Sequence, residues 1–210
     1  MDWSTVASLA TAGGTLILAV ATFGSTRTAN RASRISEQAL LTRIRPLLLT
    51  ARFEDPPEKI TWSDEHITKA PGGYGMFEHD DDTDNYYFAI ALRNVGAGLA
   101  ILHGWHLTLD AYQDQPGCDE AGYRRLNRDL YIAPGLNGFF QGAVREAGDA
   151  DWETVEKLYK TRERFAIDLL YGDEEGGQRM VTRFGYNPIR ENEWVCATGR
   201  HWYLDRNDPR

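Results

Sequence analysis

The segment 78–85, EHDDDTDN, contains four aspartates and is the densest group of candidate metal ligands in the chain. Asp80, Asp82 and Asp84 occupy positions one, three and five of a calcium-binding loop pattern. The pattern then fails, because Asn85 stands where a glycine is required and the twelfth position is not a glutamate. The sequence therefore predicts a solvated acidic loop and no metal site.

Histidine and cysteine are the other residue types here that bind metals or act as nucleophiles. His103 and His106 are three positions apart on a predicted strand, so we expect their side chains on opposite faces, unable to chelate one ion without a β-bulge. Cys118 and Cys196 form no C-x-x-C pair. The sequence contains no G-x-S-x-G, P-loop, dinucleotide fingerprint or H-E-x-x-H motif. We predict no catalytic residue, no metal and no cofactor.

Charge divides the chain into a basic N-terminal part and an acidic remainder. Residues 1–45 contain five basic and two acidic residues, whereas residues 46–210 contain 18 basic and 29 acidic residues, a net charge of −11. A body this acidic repels a phosphate backbone, so no nucleic acid partner is expected.

The N-terminal segment carries no charge from Trp3 to Thr26 and is followed by arginines. About 20 helical residues cross a hydrocarbon core of roughly 30 Å, so residues 1–26 are predicted to form a transmembrane helix. A signal peptide carries its positive charge before the apolar run, and a buried helix of a globular domain carries a polar stripe; this segment has neither. Since basic residues mark the cytoplasmic flank, we expect a single-pass cell-membrane protein with its N-terminus outside and its C-terminal domain cytoplasmic.

Two sets of residues in this N-terminal part are predicted contact sites. Residues 27–45 are predicted to form a basic juxtamembrane helix that has membrane lipid as its partner. The residues expected at the membrane surface are Arg27, Arg31 and Arg34. Small side chains let helices approach closely, which predicts self-association into a homo-oligomer. The residues of this small-residue stripe are Thr11, Gly14, Thr15 and Ala19.

After Pro46 the apolar pattern changes from helical spacing to the alternation typical of strands. Proline disfavours helix at the preceding residue and removes a hydrogen-bond donor. Eight or nine short runs rich in aromatic and branched residues follow, separated by Gly, Pro, Asn and Asp. Only residues 151–163, DWETVEKLYKTRE, have helical spacing. Residues 46–210 are therefore predicted to be mainly β, an antiparallel β-sandwich with one short helix.

One strand–turn–strand segment, ALRNVGAGLAILHGWHL at residues 91–107, carries the pattern L-x-N-x-G-x-G-x-A. The matching residues are Leu92, Asn94, Gly96, Gly98 and Ala100. In this pattern the chain resembles small uncharacterised bacterial single-pass membrane proteins with an immunoglobulin-like β-sandwich. The asparagine and the two glycines are expected to permit positive φ at the turn. The resemblance implies an immunoglobulin-like fold and carries no activity with it.

These patterns favour a membrane-anchored cytoplasmic binding or scaffold module with a protein partner of unknown identity. Two alternatives stay open. The first is an enzyme with dispersed catalytic residues, for which we expect a cleft holding two carboxylates, or a histidine and an acid, with shifted pKa values. The second is an exported carbohydrate-binding module, for which we expect an exposed row of Trp and Tyr rings and a disulfide between Cys118 and Cys196.

Overall fold

A computed structural model describes residues 2–190 and 193–206, and the chain divides into two units, Met1–Arg43 and Ile44–Arg210. The first unit is one continuous helix, α1 (Trp3–Arg43). Threonine hydroxyls along α1 donate to carbonyl oxygens one turn earlier, for example from Thr11 to Ala7 over 2.9 Å.

The predicted membrane span is not found. Within the described residues, no helix combines the length and the apolar character needed to cross a bilayer. The prediction of a transmembrane helix at residues 1–26 is therefore wrong, and so is the single-pass cell-membrane location with an outside N-terminus and a cytoplasmic domain that depended on it. The physical reason lies in the composition of the run, because serines, threonines and three glycines dilute its leucines and isoleucines.

The second unit is mainly antiparallel β-sheet, as predicted. Its eleven described strands are β1 (Leu48–Thr50), β2 (Glu58–Thr61), β3 (Ile67–Ala70), β4 (Tyr74–Asp80), β5 (Asn85–Asn94), β6 (Ala100–Thr108), β7 (Arg124–Ile132), β8 (Asn137–Val144), β9 (Phe165–Gly172), β10 (Arg179–Arg190) and β11 (Glu193–Tyr203). The helix α2 (Trp152–Thr161) lies within the segment that has helical spacing. A single 3-10 turn spans Glu120–Gly122.

Nine of these strands form one curved sheet in the order β1-β5-β4-β11-β10-β9-β6-β7, with β8 also paired to β5. Strands β2 and β3 form a separate hairpin. Strand β7 pairs with β6 and strand β8 pairs with β5, and no ladder joins β7 to β8 in the part of the chain that the structure describes. The sheet is curved, so that β7 and β8, which are consecutive in the chain, face each other across a gap.

Side chains that point alternately to the two faces of β5 fill two separate cores. Phe88 and Ile90 point into the main core, which the curved sheet surrounds and α2 covers at one end. Tyr87 and Ala89 point the other way and pack beneath Trp62 and its neighbours on the β2–β3 hairpin. Burying each large apolar side chain contributes about 1.5–3 kcal/mol, so both faces of β5 stabilise the fold.

The two glycines of the L-x-N-x-G-x-G-x-A turn between β5 and β6 are required by close packing. Neither Gly96 nor Gly98 has a positive φ, so that expectation is wrong. A Cβ on Gly98 would lie 1.6 Å from the carbonyl oxygen of Ile44, and one on Gly96 would lie 2.4 Å from the backbone nitrogen of Leu47. Both positions are glycine because the backbone leading into β1 passes directly against the turn.

Candidate functional site

The acidic loop between β4 and β5 is stabilised by its own hydrogen bonds. Asp80 accepts from the backbone nitrogen of Asp82 at 3.0 Å and from the hydroxyl of Thr83 at 2.9 Å, and these bonds lower the pKa of Asp80. The His79 ring lies 2.9 Å from the carboxylate of Asp84. Over residues 2–190 and 193–206, no three His, Cys, Asp or Glu side chains are grouped so as to hold a metal ion.

His103 and His106 lie on the same side of the sheet. A shift in register between Leu102 and Gly104 adds one residue to β6, so Leu102 and Trp105 both point into the core. The two histidines therefore face outward together, and the expectation of opposite faces is wrong. Neither histidine takes part in a metal-binding group among the described residues.

The two cysteines are free thiols. Cys196 lies in the main core, and Cys118 is half-buried on the outer side of the sheet. Burial raises the pKa of Cys118 to about 11 and raises that of Cys196 too, so neither is a thiolate nucleophile at pH 7. The disulfide expected for a carbohydrate-binding module is absent.

The tryptophans of the second unit are core residues. All five are at least nine-tenths buried; they are Trp62, Trp105, Trp152, Trp194 and Trp202. Within the described part of this unit, tryptophan therefore contributes nothing to the exposed row of Trp and Tyr rings expected for a carbohydrate-binding module.

The residues predicted as contact sites on α1 are all exposed. They are Thr11, Gly14, Thr15, Ala19, Arg27, Arg31 and Arg34. Space is open around Gly14, where an added Cβ would meet no other atom within 4 Å. Self-association and contact with lipid headgroups stay predictions.

The gap between β7 and β8 is the feature with the clearest binding chemistry, and we call it the arginine cleft. It consists of an inner cavity of about 70 Å³ and an outer cavity of about 220 Å³, which share Trp62, Asn127, Arg128 and Gln141. Arg124 and Arg125 line the inner cavity and Arg145 lines the outer one. No carboxylate is among the described residues that line either cavity.

The cleft has an apolar floor because β8 carries a glycine there. A Cβ on Gly142 would lie 3.0 Å from the Trp105 ring, so the missing side chain lets this ring close the base of the gap. The Trp62 indole nitrogen donates to the carbonyl oxygen of Gly142 over 3.3 Å and closes the side formed by the β2–β3 hairpin. Charges above such a floor interact more strongly than they would in water.

Two of the arginines are held in place by carboxylates outside the cavities. Arg124 donates to Asp149 and to Asp151, each at 2.8 Å. Burial alone would lower the pKa of Arg124, but these hydrogen bonds together have the larger effect, and the net result is a raised pKa. Arg145 donates from Nε to Asp64 at 2.8 Å. Its Nη2 is buried and has no hydrogen-bond partner within the described chain. Arg145 is therefore fixed by Asp64 beside the outer cavity.

The other two arginines carry charges that no acid neutralises. Arg128 donates to the side-chain oxygen of Gln141 over 2.8 Å, which joins β7 to β8 across the gap. Arg125 is exposed and forms no salt bridge or side-chain hydrogen bond with any residue that the structure describes. The cleft therefore offers two uncompensated guanidinium groups to an occupant.

Sequence reasoning missed this site although a signal was present. The segment RRLNR at residues 124–128 holds three arginines within an acidic body. Its partner residues come from β8 and from the β2–β3 hairpin, and only the fold brings them to β7.

Comparison with known proteins adds no identification, since no protein-family model, no curated protein and no solved structure matches the chain.

Proposed function

We propose that the second unit is a binding module for a small anionic ligand, a molecule with a carboxylate or phosphate group held in the arginine cleft. One observation carries the proposal: in a region of net charge −11, four arginines line two adjoining cavities to which no described carboxylate contributes. Concentrating arginine against the overall charge favours a local anion site.

The chemistry of the side chains supports an anion with oxygen acceptors. A guanidinium group is planar, keeps its charge and can donate two parallel hydrogen bonds to a carboxylate or phosphate. Arg128 and Arg145 face the outer cavity together with Gln141 and Asn127, which supply further donors. The inner cavity, at about 70 Å³, accommodates one anionic group, and the larger outer cavity accommodates the rest of the ligand.

A small ligand suits the cleft better than an added peptide strand. Strand addition needs free backbone donors and acceptors on the edge of β8. At Gly142 the carbonyl oxygen already accepts from Trp62, and Arg128 already reaches across to Gln141. A protein partner stays a prediction.

The test is calorimetric titration of the full chain with inorganic phosphate and, separately, with succinate. We expect saturable binding of at least one anion, weakened tenfold or more in the double variant Arg128→Gln/Arg145→Gln. The matched control is Arg52→Gln/Arg164→Gln, which removes the same two charges from exposed residues that line neither cavity. The proposal is overturned if neither anion binds, or if the control weakens binding as much as the double variant does.

The immunoglobulin-like sandwich stays a prediction that rests on the turn pattern alone. A sandwich has two packed sheets. The described residues instead form one nine-stranded sheet and a two-stranded hairpin, which covers part of its outer face.

A further inference from the structure

Most polar side chains that line the inner cavity of the arginine cleft can donate hydrogen bonds but cannot accept them, because indole and guanidinium groups have no acceptor. These donor-only residues are Trp62, Trp105, Arg124, Arg125 and Arg128. Among the described residues, the side chains of Asn127 and Gln141 alone bring an oxygen atom to this lining. An occupant of the inner cavity therefore meets mainly N–H groups.

The orientation of the Gln141 amide is fixed by Arg128. Since a guanidinium group cannot accept, the side-chain oxygen of Gln141 is the atom that receives the 2.8 Å hydrogen bond from Arg128. The amide nitrogen, a donor, is then the polar atom of this side chain that is left for an occupant. Gln141 is more than nine-tenths buried, and the neighbouring carbonyl oxygen of Gly142 already accepts from the Trp62 indole over 3.3 Å. Both of these oxygens are therefore engaged by the protein itself.

The inner cavity has the size and the charge for one small oxyanion. Its volume of about 70 Å³ is several times the roughly 10–15 Å³ that a single water needs, so a tetrahedral oxyanion fits. Arg125 and Arg128 line it without a salt bridge to any described residue. Two such guanidinium groups favour an anion with a double negative charge.

Oxyanions of the same shape differ in whether they carry a proton. Sulfate, sulfonates and carboxylates have only acceptor oxygens at pH 8, and so has a phosphate monoester, whose second pKa is about 6. Inorganic phosphate keeps one O–H group at this pH. An O–H group that is buried without an acceptor loses its hydrogen bond to water, which disfavours binding. A cavity lined by donors therefore discriminates between two otherwise similar anions through one hydrogen atom.

We propose that the inner cavity selects oxyanions that carry no proton: it accepts sulfate, sulfonate, carboxylate and monoester phosphate groups and disfavours hydrogen phosphate. This inference rests on the proposed function, because it names the chemistry of the anion that the arginine cleft binds. Arg125 and Arg128 supply the positive charge. Gln141 determines the specificity, because Arg128 already occupies its acceptor oxygen and leaves the occupant a donor.

The test is calorimetric titration of the full chain at pH 8 with sulfate, methyl phosphate and inorganic phosphate. All three are doubly charged at this pH, and inorganic phosphate alone has an O–H group. We expect sulfate and methyl phosphate each to bind at least tenfold more tightly than inorganic phosphate. Methyl phosphate separates the effect of the proton from the difference between sulfur and phosphorus.

The variant Arg125→Gln locates the binding, because Arg125 lines the inner cavity and not the outer one. It should weaken the binding of sulfate and of methyl phosphate tenfold or more. The matched control is Arg164→Gln, at an exposed residue that lines neither cavity, and it should leave both affinities unchanged.

Three results would overturn the inference: sulfate does not bind, inorganic phosphate binds less than tenfold more weakly than sulfate or methyl phosphate, or Arg125→Gln has no more effect than its control. If succinate still binds, any of these results removes the selectivity of the inner cavity and leaves the arginine cleft as an anion site. If neither succinate nor inorganic phosphate binds, the proposed function itself fails.

Discussion

Asn94 contributes more hydrogen bonds to the fold than its size suggests. Its side-chain oxygen accepts from the backbone nitrogens of Leu47 and Gly96, at 3.2 and 3.0 Å. Its amide donates to the carbonyls of Gly98 and Ile132, at 2.7 and 2.9 Å. The side chain is fully buried, so all four bonds are shielded from water. One asparagine thus joins the entry to β1, the β5–β6 turn and the end of β7.

We predict that Asn94→Ala lowers the free energy of unfolding by about 3 kcal/mol or more, since each lost hydrogen bond contributes about 1 kcal/mol and its buried partners are left unsatisfied. Urea unfolding followed by circular dichroism measures the change. Asn127→Ala, at an exposed position, serves as the control and should change stability by less than about 0.5 kcal/mol. Equal midpoints for the two variants would contradict this role of Asn94.

The turn around Asn94 shows what a sequence discloses at the level of residues. The pattern of asparagine and two glycines correctly located the link between two strands. It did not disclose why glycine is needed, because Ile44 and Leu47 lie far from Gly96 and Gly98 along the chain and meet them only in the fold. A turn that needs positive φ and a turn that needs close approach use the same residue type.

A buried ion pair holds the connection between β6 and β7 in place. Arg183 on β10 donates to both carboxylate oxygens of Asp168 on β9, each at 2.7 Å. Its other hydrogen-bond donors bind the carbonyls of Asp110, Gln113 and Gln115, at 3.0–3.1 Å. Both charged side chains are almost completely buried. The pair therefore holds this connection against the outer face of the sheet.

We predict that Asp168→Asn destabilises the protein by about 3–5 kcal/mol, because it leaves a buried cation without its counter-charge. The β6–β7 connection should also become the first site of cleavage in limited proteolysis. Urea unfolding and mass spectrometry of the fragments measure the two effects. The matched control, Asp119→Asn, changes an exposed aspartate of the same connection. A loss of stability no larger than that of the control would refute the role of the ion pair.

The order and packing of the strands depend on contacts that alternation does not encode. Phe88, Ile90 and Leu92 alternate as a strand should, and β5 was predicted from them. Burial of its second face comes from the β2–β3 hairpin, which ends 15 residues before β5 begins. The outward position of both histidines depends on an irregularity in β6 at Gly104, and an isolated glycine within a strand is the sequence signal that indicates one. The existence of the strands was therefore predictable, whereas the arginine cleft, whose lining comes from β7, β8 and the β2–β3 hairpin, was not.

At the scale of the whole molecule, an acidic domain carries two clefts with different charge. The arginine cleft has no described carboxylate in its lining, whereas a second cleft, on the outer face of β6, β7 and β9, is lined by two acids and two arginines. The net negative charge of residues 46–210 is therefore distributed unevenly over the surface of the domain.

The surface of α1 gives the last prediction. Five large apolar side chains in its middle are 66–71% exposed; they are Leu16, Ile17, Leu18, Val20 and Phe23. Helices in water are stabilised mostly by packing of their apolar side chains, so such a surface favours association with a second copy. The small-residue stripe predicts where the helix backbones approach, and Gly14 lies on it while the adjacent Gly13 does not.

We predict that Gly14→Leu weakens self-association of the full chain tenfold or more, since a leucine at a close helix contact separates the two backbones. Gly13→Leu is the matched control: neither glycine has another atom within 4 Å of an added Cβ, and both substitutions raise helix propensity by a similar amount. Sedimentation equilibrium across a concentration series measures the association constant. A monomer at every concentration would contradict self-association, and equal effects of the two substitutions would contradict the position of the stripe.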